Sequence, residues 1–132
     1  MSNLNHDQLV ECFIKSGILK GTLKCKVKLN HELEIDLVYN TENAIWIIEA
    51  KVNPTVRNLA TALGQVLIYG SIYANYYKLE KPIKLMVITD TIGVSWLDVG
   101  FWAEDKDIYK INYLKELFEK HGVKLLVRVL DF

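Results

Sequence analysis

The spacing of hydrophobic residues changes from a helical to a strand-like period near residue 20. The first segment carries apolar residues at the i, i+1, i+4, i+5 spacing of an amphipathic helix: Leu9, Val10, Phe13 and Ile14. Asn5 can cap this helix at its start, and Gly17 can end it. The pattern therefore predicts a helix over residues 5–16.

Three strands are predicted next, because apolar and polar residues then alternate with a period of two. The first runs from Thr22 to Leu29 and the second from Leu33 to Tyr39. The third, Ala44 to Val52, opens with five apolar residues in succession, as a central strand buried on both faces does. A turn over Asn40 to Asn43 would pair Tyr39 with Ala44, which predicts an antiparallel meander.

A long second helix is predicted over Thr55 to Tyr77, with Asn53 as its cap and Pro54 at its first position. It is apolar on nearly all sides, which predicts packing on a sheet and on a further partner. Gly64 and Gly70 lie inside it and indicate either close packing or a shorter helix.

The rest of the chain predicts strands over residues 83–89, 94–99 and 123–130, and a helix over residues 109–121 that Gly122 ends. The element order is then α-β-β-β-α-β-(β)-α-β. We therefore predict one domain, residues 1–132, with an α/β fold in which helices flank a central mixed sheet.

Two carboxylates are predicted to lie on one face of neighbouring strands. With the pairing above, Asp36 lies opposite Ile47, and Glu49 becomes its diagonal neighbour at about 7–8 Å. Carboxylates at that spacing can bind one Mg²⁺ together with a backbone carbonyl and waters. Lys51 shares the face of Glu49, where it can orient a water or stabilise an oxyanion. The chemistry suits phosphodiester hydrolysis.

The set Asp36 and Glu49-Ala50-Lys51 resembles the PD-(D/E)XK nuclease superfamily, whose restriction-endonuclease-like fold has an α-β-β-β-α-β core. The resemblance implies that Asp36, Glu49 and the Ala50 carbonyl bind Mg²⁺ or Mn²⁺, and that Lys51 assists the attacking water. It also implies a ligand on the first helix, for which Glu11 is the best match and His6 a weaker one. The usual Pro before the Asp is replaced by Ile35.

The second predicted helix carries a further match to this superfamily. Gln65-Val-Leu-Ile-Tyr69 resembles the Q-x-x-x-Y motif of RecB-type nucleases. Residues four apart share one helix face, so Gln65 and Tyr69 can both address the same site. The resemblance implies a catalytic role for both side chains.

Charge is balanced overall but is distributed unevenly. Sixteen basic and sixteen acidic residues, with 51% hydrophobic residues, exclude a disordered chain and a general basic coat. Residues 1–30 nevertheless carry a net charge of +3 and residues 31–51 a net charge of −4, where metal would bind. The lysines of the first strand either form a solvated face or bind DNA: Lys24, Lys26 and Lys28.

We expect a Mg²⁺-dependent deoxyribonuclease, either a RecB-type exonuclease or a junction-resolving endonuclease. A core of 132 residues offers little surface to a duplex, so we expect a homodimer or a larger complex. No membrane association is expected, since no apolar run approaches the roughly 20 residues of a spanning helix, and a cytoplasmic location follows by default. The alternative is a non-catalytic nucleic-acid-binding or assembly module on the same fold.

Overall fold

The protein is an α/β fold built on one mixed sheet. A computed structural model describes residues 4–30, 32–53, 55–77, 79–90, 95–98 and 116–129. Its labelled elements are α1 (His6–Ser16), β1 (Thr22–Lys28), β2 (Glu34–Asn40), β3 (Ile45–Lys51), α2 (Val56–Tyr76), β4 (Ile83–Asp90), β5 (Ser95–Asp98) and β6 (Val123–Val129). Within the described ranges, the sheet has six strands in the order β1-β2-β3-β4-β6-β5. The predicted fold class is confirmed.

The strand directions agree with the predicted antiparallel meander and mixed sheet. β1, β2 and β3 form an antiparallel meander, and β3, β4 and β6 run parallel to one another. The short strand β5 joins the far side of β6 in antiparallel fashion. Helix 109–121 is described only over residues 116–120, where it is helical and is followed by a left-handed Gly122 with φ 70°. Its earlier part lies outside the described residues.

The first helix begins and ends where the sequence predicts. The Asn5 side chain accepts a hydrogen bond from the Gln8 N–H at 2.8 Å, and the Gln8 side chain accepts one from the Asn5 N–H at 2.9 Å. This reciprocal capping box satisfies two N–H groups that lack helical partners. Gly17 ends the helix in the left-handed conformation, with φ 67°.

The second helix has a different cap from the one predicted. The Thr55 hydroxyl accepts the Asn58 N–H at 3.1 Å, so Thr55 is the cap and Asn53 is not. Asn53 lies two residues before the observed cap, and its carbonyl instead accepts a hydrogen bond from the Asn58 side-chain amide at 2.9 Å. Although α2 spans 21 residues, none of the described helices is long and apolar enough to cross a membrane.

Two hydrophobic cores lie on opposite faces of the sheet. The core on the α2 face includes fully buried residues of β3, α2, β4 and the helical segment 116–120: Ile47, Leu59, Val66, Val87 and Phe118. The core on the α1 face is built from α1, β2, β3 and β4: Leu9, Phe13, Leu37, Ile48 and Met86. β3 contributes to both cores, which confirms its predicted central position.

The strict alternation predicted for the first two strands is wrong at one point. Lys26 has a left-handed backbone conformation with φ 51°. Leu23, before it, packs against the α1-face core, whereas Val27, after it, packs against the α2-face core. The neighbouring strand changes in the same way, since Leu37 belongs to the α1-face core and Ile35 to the α2-face core.

The two glycines of α2 are expected to respond differently to alanine. An added Cβ at Gly64 meets nothing within 4 Å, whereas one at Gly70 would lie 2.6 Å from Leu85 Cδ2. Gly64→Ala should therefore raise the free energy of unfolding by about 1 kcal/mol, the helix propensity difference. Gly70→Ala should show no such gain, because the leucine must shift. Urea unfolding of both variants measures this, and equal gains would contradict the close packing at Gly70.

Candidate active site

The register between β2 and β3 differs from the predicted one by two residues. Tyr39 pairs with Trp46 and not with Ala44. Ala44 belongs to the turn, where its carbonyl accepts hydrogen bonds from the Thr41 N–H at 2.9 Å and the Thr41 hydroxyl at 2.8 Å. Because the register shift is an even number of residues, it does not by itself move Asp36 or Glu49 to the other face of the sheet. The turn has the predicted four residues but lies one residue later, over residues 41–44, and the two carboxylates still meet across the strands.

In this register Asp36 comes opposite Glu49 and not opposite Ile47. The paired ladder stops at Leu37 and Ile48, although both strands continue beyond it. The two carboxylates therefore face each other where the strands separate. They are closer neighbours than the predicted diagonal pair, because side chains directly opposite are nearer than diagonal ones.

The two carboxylates accept backbone hydrogen bonds where β2 and β3 separate. The Ala50 N–H donates to Asp36 Oδ2 at 2.9 Å, and the Asp36 N–H donates to Glu49 Oε1 at 3.2 Å. Because the N–H and C=O of one strand residue point to the same side, the Ala50 carbonyl also faces the gap. The second oxygen of each carboxylate is left for another partner.

The surroundings of Glu49 favour its protonated form. It is 4% exposed, and its pKa rises to about 8, first because burial penalises the charged form and then because Asp36 is negative. The nearby Lys51 ammonium lowers the pKa of Glu49 and so opposes part of this rise. Two carboxyl groups forced together in this way are a site that a divalent cation would stabilise.

His6 lies at the site, and Glu11 does not. His6 Nε2 lies 3.1 Å from Asp36 Oδ2. Glu11 pairs with Lys15 at 3.0 Å, with 63% of its own side chain exposed, and it does not line the pocket. Glu11, the preferred candidate on this helix, therefore lies away from the carboxylates. Five residues along an α-helix rotate a side chain by about 140°, so the two positions cannot face the same site.

The two carboxylates line a pocket of about 520 Å³ between the sheet, the first turn of α1 and one face of α2. Gln65 and Tyr69 of α2 both line it, which confirms that they share the helix face turned towards the site. Gln65 Oε1 is buried and has no hydrogen-bond partner among the described residues. Burial, with the negative charge of Glu49, raises the pKa of Tyr69, so its phenol stays a hydrogen-bond donor.

The predicted basic residues separate into two groups. Lys26 and Lys51 line the pocket, whereas Lys24 and Lys28 are exposed on β1 away from it. The lining includes four carboxylate residues against these two ammonium groups, so the pocket is acidic until a cation binds: Asp7, Glu34, Asp36 and Glu49.

Three polar residues of the pocket were missed by the sequence reasoning: Asp7, Glu34 and Asn58. Glu34 lies two residues before Asp36 in the same acidic run, and this spacing was the sequence signal that could have indicated it. Asp7 and Asn58 lie in the first turns of α1 and α2, and no sequence pattern shows that both turns meet at the end of β3.

The residues present fit a small divalent cation. No group of three or more His, Cys, Asp and Glu side chains in the described ranges is arranged to hold an ion. Mg²⁺ is typically bound through one or two carboxylates and keeps several waters. The facing pair Asp36 and Glu49, with the Ala50 carbonyl beside it, matches that requirement.

Compared with models of protein families, with curated proteins and with solved structures, the chain gives no significant match.

Proposed function

We propose that the protein is a Mg²⁺- or Mn²⁺-dependent nuclease that hydrolyses DNA phosphodiester bonds. The observation that carries this proposal is the pair of facing carboxylates, Asp36 and Glu49, in a pocket that also holds Lys51. The resemblance of these residues to the PD-(D/E)XK superfamily supports the same chemistry. The order α1-β1-β2-β3-α2-β4 agrees with the core that this superfamily has.

The cation would be held by Asp36, Glu49 and the Ala50 carbonyl. A bound divalent ion lowers the pKa of a water and neutralises charge on the phosphate. Glu49 must lose its proton for the cation to bind, since its pKa is about 8 in the metal-free protein. The hydrogen bonds from the Ala50 and Asp36 N–H groups hold both carboxylates at the gap meanwhile.

Lys51 orients the attacking water and stabilises the charge that develops on the phosphate. It is two residues from Glu49 and on the same strand face, and it forms no ion pair or hydrogen bond among the described residues. A free ammonium group beside the carboxylates is available to the reacting oxygen.

Gln65 and Tyr69 position the substrate from the opposite wall of the pocket. The buried amide of Gln65 lacks a partner for its oxygen, and a buried polar atom without a partner is costly. A water or a substrate group would satisfy it. The phenol of Tyr69 is protonated and can donate a hydrogen bond to a phosphate oxygen.

DNA is the proposed partner, and we expect the subunit to act as a homodimer or within a larger complex. Exonuclease action of the RecB type and junction-resolving endonuclease action both use this chemistry. They differ in the DNA end or branch that reaches the pocket, so the substrate panel below includes each form.

Cleavage of labelled DNA tests the proposal. The wild-type protein should cut at least one of single-stranded, double-stranded or branched DNA in Mg²⁺ or Mn²⁺, and EDTA should stop it. Glu11→Gln is the matched control, because this carboxylate lies outside the pocket and should keep full activity. No cleavage of any form by pure wild-type protein would contradict the proposal and favour the non-catalytic module.

A further inference from the structure

One lysine of the pocket has a backbone conformation that its side chain disfavours. Lys26 has φ 51°, and it is the only non-glycine residue with positive φ among the described residues. It lies in the interior of β1, where both neighbours are extended and paired. A Cβ atom makes the left-handed conformation unfavourable, so a lysine here is held against its own preference.

Lys26 stands beside the proposed metal site. The pairs Cys25–Leu37 and Val27–Ile35 flank it, which places Lys26 opposite Asp36 on the neighbouring strand. Lys26 is an exposed residue that lines the pocket, and it forms no ion pair or hydrogen bond with the part of the chain that the structure describes. The ammonium group is therefore free to bind a ligand in that pocket.

The charges of the pocket require such a group if the ligand is a phosphodiester. Four carboxylates and two ammonium groups line it, so one divalent cation brings the lining to neutrality. Without Lys26, the metal-loaded pocket would remain negative and would repel a phosphate. Lys51 alone does not compensate, so Lys26 brings the metal-loaded lining from a net negative charge to neutrality.

The change of face in β1 does not by itself require a lysine. Leu23 and Val27 pack on opposite faces of the sheet because the left-handed residue between them, Lys26, interrupts the alternation of side chains. A glycine would allow the same backbone without a steric penalty. The lysine adds charge, which the change of face does not use.

We propose that Lys26 binds a substrate phosphate beside the metal site, and that its left-handed backbone conformation delivers its ammonium group there. This inference rests on the proposed nuclease function and adds a phosphate-binding residue to it. Strained residues of this kind concentrate at functional sites, where the surrounding structure holds them. Lys24 and Lys28, on the same strand, take no part in this contact.

Lys26→Gly separates the backbone from the charge, and Lys24→Gly is its matched control. At residue 26, glycine should leave the melting temperature unchanged or raise it by up to about 4 °C, because it relieves the left-handed strain. At residue 24, in regular strand conformation, glycine should lower it. Lys26→Asn, which also tolerates this conformation, gives a second uncharged variant.

Binding is measured with a fluorescein-labelled 20-nucleotide single strand of DNA in Ca²⁺, at several salt concentrations. Lys26→Gly and Lys26→Asn should raise Kd about tenfold and reduce the slope of log K against log salt by about 0.7, the value for one lost phosphate contact. Lys26→Arg should keep the slope. Lys24→Gly should leave Kd within about twofold of wild type, since it loses the same charge away from the pocket.

Each outcome decides the inference. Wild-type affinity and slope in both uncharged variants would overturn it, and so would a loss of stability in Lys26→Gly equal to that in Lys24→Gly. Failure of the wild-type protein to bind DNA would overturn it together with the nuclease proposal. Binding that depends on Lys26 without any cleavage in Mg²⁺ or Mn²⁺ would support this inference and contradict the nuclease proposal alone.

Discussion

Glu49→Gln is expected to abolish divalent-cation binding and to reduce DNA cleavage by about 10³-fold or more. The substitution keeps the shape of the side chain and its Oε1 atom, so the hydrogen bond from the Asp36 N–H at 3.2 Å can persist. It removes the only charge that Glu49 brings to the cation. Calorimetry with Mn²⁺ and the cleavage assay measure the two effects, and Glu11→Gln serves as the unaffected control.

The same variant should remove a pH dependence of folding. The pKa of Glu49 is about 8 in the folded protein against 4.5 for an ordinary glutamate. Between these values the folded protein holds a proton that the unfolded chain has lost, so wild-type stability falls as the pH rises from 4.5 to about 8 and levels off above. Glu49→Gln lacks this decline and becomes the more stable protein at high pH.

Urea unfolding in EDTA between pH 5 and pH 9 checks this expectation. The difference in unfolding free energy between Glu49→Gln and wild type should grow in favour of the variant across that window. Parallel pH profiles for the two proteins would contradict the protonated state of Glu49. Full cleavage by the variant would contradict its place at the metal site.

Lys51→Met is expected to reduce cleavage by about 10²–10³-fold and to leave the fold and the metal site in place. The substitution keeps an unbranched side chain in a half-buried position and removes the ammonium group. Since Lys51 lowers the pKa of Glu49, its loss should raise that pKa further and move metal binding to higher pH. A lower kcat with Mn²⁺ affinity retained but shifted to higher pH is the expected signature.

Lys24→Met is the matched control for this variant, because Lys24 is exposed on β1 outside the pocket. It should cleave DNA like the wild type. Equal cleavage by Lys51→Met and Lys24→Met would remove Lys51 from the reaction. Loss of Mn²⁺ binding by Lys51→Met at every pH would show that Lys51 supports the site and not the chemistry.

The features that depend on neighbours in the chain were predictable from the sequence. The cap at Asn5 and the stop at Gly17 are confirmed, because capping hydrogen bonds span only three residues. The shared pocket face of Gln65 and Tyr69 follows from the helical period alone. The central position of β3 follows from its continuous apolar run, which can be buried only between two other strands.

The composition of the site was settled only by long-range packing. Asp36 and Glu49 face each other because the four-residue β2–β3 turn lies one residue later than its polar run indicates, and because the ladder ends at that point. His6 and not Glu11 reaches Asp36 because the docking of α1 on the sheet decides which turn of the helix meets the gap. The helical period shows which residues share a face of α1, but it does not show which turn of the helix contacts the sheet.

The sequence alone determined the elements, their order and the strand face of the two carboxylates, since each depends on a period of two or 3.6 residues. The tertiary structure decided the register, the separation of β2 from β3, the raised pKa of Glu49 and the left-handed turn at Lys26. These features arise from contacts between different strands and helices. Such contacts form only when the sheet and both helices are packed together.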